Sequence, residues 1–129
     1  MRRLVAAALA AFALAGCGGG PSAEEQVRET LDEFGRATAA KDYQALCDEV
    51  FAPDLVSELG EVGLPCEVAM QRAFEDVKDP RLTIGRITVA EDEKSAKAEV
   101  RTAAAGRKPS QDTVELVPVD DGWRVSSLG

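Results

Sequence analysis

The chain has 129 residues, and setting aside a leader of sixteen leaves 113, enough for one small domain and too few for two. It carries 15 basic and 23 acidic residues, a net charge of −8 that becomes −10 if Arg2 and Arg3 leave with that leader. Such a balance, without a long Lys/Arg cluster, argues against nucleic acid as a partner, and 45% hydrophobic residues in regular periodicity argue against disorder.

Met1-Arg2-Arg3 is a short positive start, and Leu4 to Ala15 is a run of twelve apolar residues without a charge. As a helix that run reaches roughly 18 Å, short of the ~30 Å hydrocarbon core, so it reads as the apolar part of a signal peptide and not as a membrane span. Leu14-Ala15-Gly16-Cys17 resembles the lipobox of bacterial lipoproteins. The resemblance implies that residues 1–16 are a lipoprotein signal peptide and that Cys17 is both the lipid carrier and the first mature residue. The protein would then be lipid-anchored in the cell membrane, facing the extracytoplasmic side. Two acyl chains meet the two-anchor requirement for stable attachment, at about 0.8 kcal/mol per buried methylene. Ala13-Leu14-Ala15 is also an A-x-A cleavage site, and cutting after it would release a soluble protein. Residues 17–22 read as the lipidated Cys and a glycine-rich flexible tether, with an extended reach of about 15–18 Å. The domain of residues 23–129 is net acidic and would not adhere to anionic lipid, so contact with the membrane falls to the lipid on Cys17.

Three cysteines in an exported chain leave an odd one unless something consumes it. Lipidation of Cys17 leaves Cys47 and Cys66 as a disulfide pair in an oxidising compartment. That bridge would close a loop of about 20 residues, worth roughly 3 kcal/mol by the chain-entropy argument. Two free buried thiols are the alternative. No metal is expected, because two Cys without any His cannot complete a tetrahedral shell.

The first half of the domain reads as helix. Ser22 with Glu25 three residues on is a capping-box pattern, and Val27, Leu31, Phe34 and Ala37-Thr38 form one apolar stripe over residues 23–39. Asp42 can cap a second helix with Tyr43, Leu46, Cys47 and Val50 on one face, interrupted at Ala52-Pro53. A third short helix holds Leu55, Val56 and Leu59, with Gly60 as its left-handed terminator. Pro65 opens a fourth, with Cys66, Ala69, Met70, Ala73 and Val77 facing inward. Asp79-Pro80 ends the helical half.

The second half switches to period two. Leu82 and Ile84 share one parity while Ile87 and Val89 share the other, so a bulge near Gly85-Arg86 is needed to turn all four inward. Ala96, Ala98, Val100 and Thr102 alternate with Lys97, Glu99 and Arg101 as a half-buried strand. Val114, Leu116, Val117 and Val119 suggest a third strand disturbed by Pro118, and Asp121-Gly122 is a two-residue hairpin signal leading into Trp123, Val125 and Ser127. Residues 91–94 and 105–111 are the remaining turns. Helices followed by a four-stranded antiparallel meander define an α+β chain.

Three stretches in this order resemble nuclear-transport-factor-2-like domains. They are the first helix with Phe34 followed by Lys41-Asp42-Tyr43-Gln44-Ala45-Leu46-Cys47, the later helix with Met70 and Phe74, and the terminal Asp121-Gly122-Trp123-Arg124-Val125. The resemblance implies a SnoaL-like cone: N-terminal helices packed on a curved antiparallel four-stranded sheet, with a pocket between them in many members. It also implies that a Cys in the second helix and another in a later one, as Cys47 and Cys66 stand here, recur in small lipoproteins of this kind. Members of the fold often dimerise, so a homodimer through the sheet is a further expectation.

Chemistry is thin. The chain contains no His and one Tyr, and no phosphate loop, nucleophile elbow or zinc-helix motif is present. Asp42 reads as a cap before it reads as a base. Tyr43 is a core or rim contact, or a hydrogen-bond donor in the pocket. Trp123 covers the inner face of the sheet or lines the pocket. The residues expected to line a pocket are Phe34, Tyr43, Met70, Thr102 and Trp123, with no catalytic residue and no cofactor. The expected function is a non-enzymatic, lipid-anchored binding or interaction domain for a small apolar ligand or a membrane-associated protein. The alternative is a small isomerase- or cyclase-like enzyme acting on an apolar substrate in the cone pocket.

Overall fold

The computed structural model describes residues 20–128; Cys17, the signal-peptide residues and Gly18-Gly19 lie outside them. Helix α1 spans Ala23–Ala40 and begins where the Ser22 hydroxyl accepts the Glu25 N–H at 3.2 Å. Val27, Leu31, Ala37 and Thr38 are buried along it, as its apolar stripe requires. It ends on Lys41, which takes the left-handed conformation (φ 56°) while its N–H caps the Ala37 and Thr38 carbonyls.

Asp42 starts the next element by accepting the Ala45 N–H at 3.1 Å. A single α-turn, α2 (Tyr43–Ala45), runs on as a π-helical turn, Leu46–Val50, closed by the Phe51 N–H on the Leu46 carbonyl at 2.9 Å. This widened turn puts Leu46, Cys47, Val50, Phe51 and Ala52 all inside the protein. Helix α3 (Pro53–Glu61) opens on a proline, where no amide donor is missed, and rests only half-buried Leu55, Val56 and Leu59 on the core. Gly60 lies within α3 and not after it; the left-handed residue is Gly63 at φ 84°, beyond the exposed Val62. Helix α4 (Cys66–Ala73) turns Cys66 and Met70 inward, and Cys66 is bonded to Cys47. Ala73 is exposed, contrary to its place in the expected stripe, because α4 stops there and Val77 follows in a turn.

Strands β1 (Arg81–Val89), β2 (Ala96–Ala103), β3 (Ser110–Val119) and β4 (Gly122–Ser127) form one antiparallel sheet in that spatial order. Ile84 pairs with Val100 and Ile87 with Ala98, so Gly85 and Arg86 together oppose Glu99 in a bulge. All four apolar residues of β1 therefore reach the inner face. Gly85 is required by closeness: a Cβ there would stand 3.1 Å from the Glu99 carbonyl oxygen. Two details differ from the sequence expectation. Ser110 and Gln111 belong to β3, paired with Thr102 and Arg101, and the last hairpin turns on Asp120-Asp121, with Gly122 (φ 148°) already paired to Val119.

α1 crosses the inner face of the sheet, packing on β1 and on β4. The core lies in that layer, where Val27, Leu31, Leu46, Val50 and Phe51 meet Ala98, Val100, Leu116, Trp123 and Val125. Two backbone links cover the outer edge of β4. Phe51 bridges Val125 in parallel, and the Ala52 N–H donates to the Val125 carbonyl at 2.7 Å. Lys97, Glu99 and Arg101 cover the opposite face of the sheet and are exposed, as period two dictates.

Candidate functional site

The helices do not cover the whole inner face. At the β1 and β2–β3 end a cavity of about 300 Å³ remains, at the lower end of the size range of small-molecule sites. Phe34 and Gly35 of α1 form one wall, Phe74 and Val77 beyond α4 another, and Leu82 of β1 with Thr102 of β2 the floor. Arg81 and the β2–β3 turn residues Arg107 and Lys108, all exposed, complete the lining. No Asp, Glu, Tyr or Cys is among the lining residues.

Phe34 meets Phe51 edge-on, with ring centroids 5.9 Å apart, and is thereby fixed against the core. Phe74 is stacked on Tyr43 at 6.5 Å, so Tyr43 supports the wall from behind. The Thr38 hydroxyl is buried and donates to the Phe34 carbonyl at 2.8 Å. Thr102 and Ser110 hydroxyls lie 2.9 Å apart across the β2–β3 pair, and Ser110 donates to Asp112 at 3.3 Å. The Ala105 N–H donates to the Lys78 carbonyl at 2.8 Å and Arg107 reaches the Asp76 carbonyl at 3.4 Å, which ties the turn to the segment after α4. Gly106 takes φ 74° in that turn, a conformation that side chains resist.

Of the five residues expected to line a pocket, Phe34 and Thr102 do line this cavity. Tyr43 is one ring removed. Met70 is buried in the core, in the same cluster as Cys66 and Cys47. Trp123 is buried at the other end of α1, where its carbonyl accepts the Thr30 hydroxyl at 2.6 Å. A wider, open groove of about 550 Å³ passes Trp123, but Glu29, Glu33, Glu49 and Asp121 give it an acidic, water-exposed wall. The smaller cavity is the better binding site because its walls are aromatic and aliphatic. Sequence reasoning missed Arg81, Arg107, Lys108 and Ser110. The signal was present: Arg107-Lys108 is a basic doublet beside Gly106 and Pro109 in a chain otherwise rich in acid.

Titration behaviour is organised elsewhere. At the α1–α2 corner Arg36 donates to Glu33 and, at 3.2 Å, to Asp42. The Arg36 hydrogen bond holds Glu33 below its ordinary value. Asp42 is held low first by the Ala45 N–H and then by Arg36, and the Arg36 guanidinium is raised by both acids. Asp42 is thus a helix cap paired to an arginine, and it does not line the cavity. Among the described residues no group of His, Cys, Asp or Glu is placed to hold a metal, and no helix is long and apolar enough to cross a membrane.

No protein-family profile matches the sequence. No curated protein matches it. Solved structures do resemble it in shape. A Kribbella flavida protein matches with TM-score 0.58 at 21% identity, over 81% of this chain and 86% of its own. A nuclear-transport-factor-2-like protein from Shewanella baltica matches with TM-score 0.58 at 15% identity, over 84% and 94%. A dehydratase candidate of the same family from Streptomyces avermitilis matches with TM-score 0.50 at 11% identity, over 80% and 90%. At these identities the likeness defines the fold: four helices on a curved four-stranded sheet, the nuclear-transport-factor-2-like cone.

Proposed function

We propose that this protein is a lipid-anchored, extracytoplasmic small-molecule-binding domain that works without catalysis. The observation that carries the binding reading is the cavity itself, with aromatic and aliphatic walls between the helices and the sheet. The anchor is supported by the lipobox-like Leu14-Ala15-Gly16-Cys17 after an apolar run too short to span a bilayer. The enzymatic alternative draws on the fold shared with the Streptomyces dehydratase candidate. It has less support, because the lining contains no carboxylate, His, Tyr or Cys and its one lysine, Lys108, is exposed. Ser110 does touch Asp112, but both are exposed and the chain has no His to relay a proton.

Two readouts test the proposal. Cys17→Ser is expected to move the protein from the membrane fraction to the soluble fraction and to remove the mass of the acyl groups from the mature chain. An unchanged mass and unchanged partitioning would end the anchor reading. Thermal unfolding of the soluble variant is expected to rise with saturating small apolar ligands, as binding to the native state alone demands. A flat response across a panel of ligands that fit the cavity would end the binding reading.

A further inference from the structure

We infer that the cavity takes an amphipathic anion: a short apolar chain inside, with a carboxylate or similar head at the mouth. The inference rests on the binding reading above and adds the charge class of the ligand. Its ground is a local reversal of the protein's charge. The chain carries 23 acids against 15 bases, yet the lining contains Arg81, Arg107 and Lys108 and no acid. Arg107 and Lys108 are neighbours in the β2–β3 turn, which is pinned to the segment after α4 that leads into Arg81.

The two ends of the cavity differ in chemistry. Phe34, Phe74 and Leu82 are half-buried and present carbon, which an aliphatic tail would cover. Arg107 and Lys108 are exposed, so an anionic head held by them stays partly in water and avoids the cost of burying its charge. The Thr102 and Ser110 hydroxyls are spent on each other and on Asp112, so the cations are the donors left for a head group. Asp112 is the opposing charge, and its carboxylate is engaged by the Ser110 hydroxyl outside the lining. A cationic ligand would meet only like charges among the charged lining residues. A neutral ligand would gain nothing from their charge. At about 300 Å³ the space suits a single short chain and not the two long chains of a membrane lipid, so the ligand is a free amphiphile.

The test is a calorimetric titration of the full mature chain, exported as Cys17→Ser so that neither lipid nor detergent competes. The probes are octanoate, octanol and octylamine, which share a tail and differ in the head. Octanoate is expected to bind at least about tenfold more tightly than octanol, the scale of one charge-assisted contact, with octylamine weakest. Lys108→Glu, which spares the Arg107 bond to the Asp76 carbonyl, is expected to reduce the preference for octanoate while leaving octanol binding and the melting curve in place. Raising the salt concentration is expected to narrow the gap between the first two probes. Equal affinity for octanoate and octanol would overturn the anionic assignment and leave the binding reading standing. Binding of none of the three would overturn both.

Discussion

At the scale of single residues, small changes are expected to have distinct signs. Gly35 sits inside α1, where glycine costs about 0.5–1 kcal/mol relative to alanine. A Cβ there would stand 3.6 Å from the Leu82 Cβ, an ordinary contact. Gly35→Ala is therefore expected to stabilise the fold by about 0.5–1 kcal/mol, read as a higher urea midpoint; a lower midpoint would show that the cavity wall is strained. Gly85→Ala has the opposite sign, because its Cβ would press on the Glu99 backbone at 3.1 Å and disturb the bulge. A loss of about 1–3 kcal/mol is expected from such overpacking, and an unchanged midpoint would contradict it. Glu33 and Asp42 are both depressed, so each contributes stability that is present above its unfolded value and disappears as pH falls through its folded value. Stability should thus decline below about pH 4. Arg36→Met should make that decline shallower without abolishing it, because the first cause for Asp42 is the Ala45 amide and not Arg36. An unchanged pH profile in Arg36→Met would contradict the pairing.

At the scale of elements, the sequence was legible wherever one physical rule acted alone. The stripe Val27, Leu31, Ala37-Thr38 with Ser22 as cap defines α1, and the parity change between Ile84 and Ile87 locates the bulge, because only one slip turns four apolar residues to one face. Two glycines were harder to place. Gly60 and Gly63 both stand near the end of α3, and helix propensity cannot say which of them takes the left-handed conformation. Asp120, Asp121 and Gly122 offer two adjacent two-residue turns, and the choice is made by the Pro118–Trp123 and Val119–Gly122 pairs. The π-helical turn Leu46–Val50 had no sequence signal, since it arises from the need to send Phe51 and Ala52 to the edge of β4. The Cys47–Cys66 bond joins that turn to the start of α4 across a separation of 19 residues. Reduction is expected to cost about 3 kcal/mol, and the Cys47→Ala/Cys66→Ala variant should match the reduced protein; alkylation of both thiols in native, unreduced protein would contradict the bond.

At the scale of the whole molecule, the cone separates a charged outer surface from an inner cavity. The outer face of the sheet carries Lys97, Glu99, Arg101 and Glu115, with Lys97 and Glu115 paired at 4.0 Å. A homodimer through this face stays a proposal, and such an interface would be ionic, so its dissociation should follow rising salt in sedimentation or gel filtration. The candidate site was only partly legible. Phe34 and Thr102 follow from stripe and parity, whereas Arg107 and Lys108 lie in a turn held by the Ala105 amide on the Lys78 carbonyl, a contact with no periodicity to read. Met70 and Trp123 could either fill a core or line a space, as large residues on inward faces can, and here both fill the core.

The most direct test of a binding domain is non-denaturing mass spectrometry of residues 18–129, exported without the lipid Cys, beside a variant in which Ala104, another lining residue, is replaced by Trp to take up the space. A reproducible small-molecule adduct on the native domain that is missing from the variant is the predicted result. A bare mass for both, at concentrations where short-chain amphiphiles are in excess, would contradict the account and shift the protein's role to contacts made by its surface.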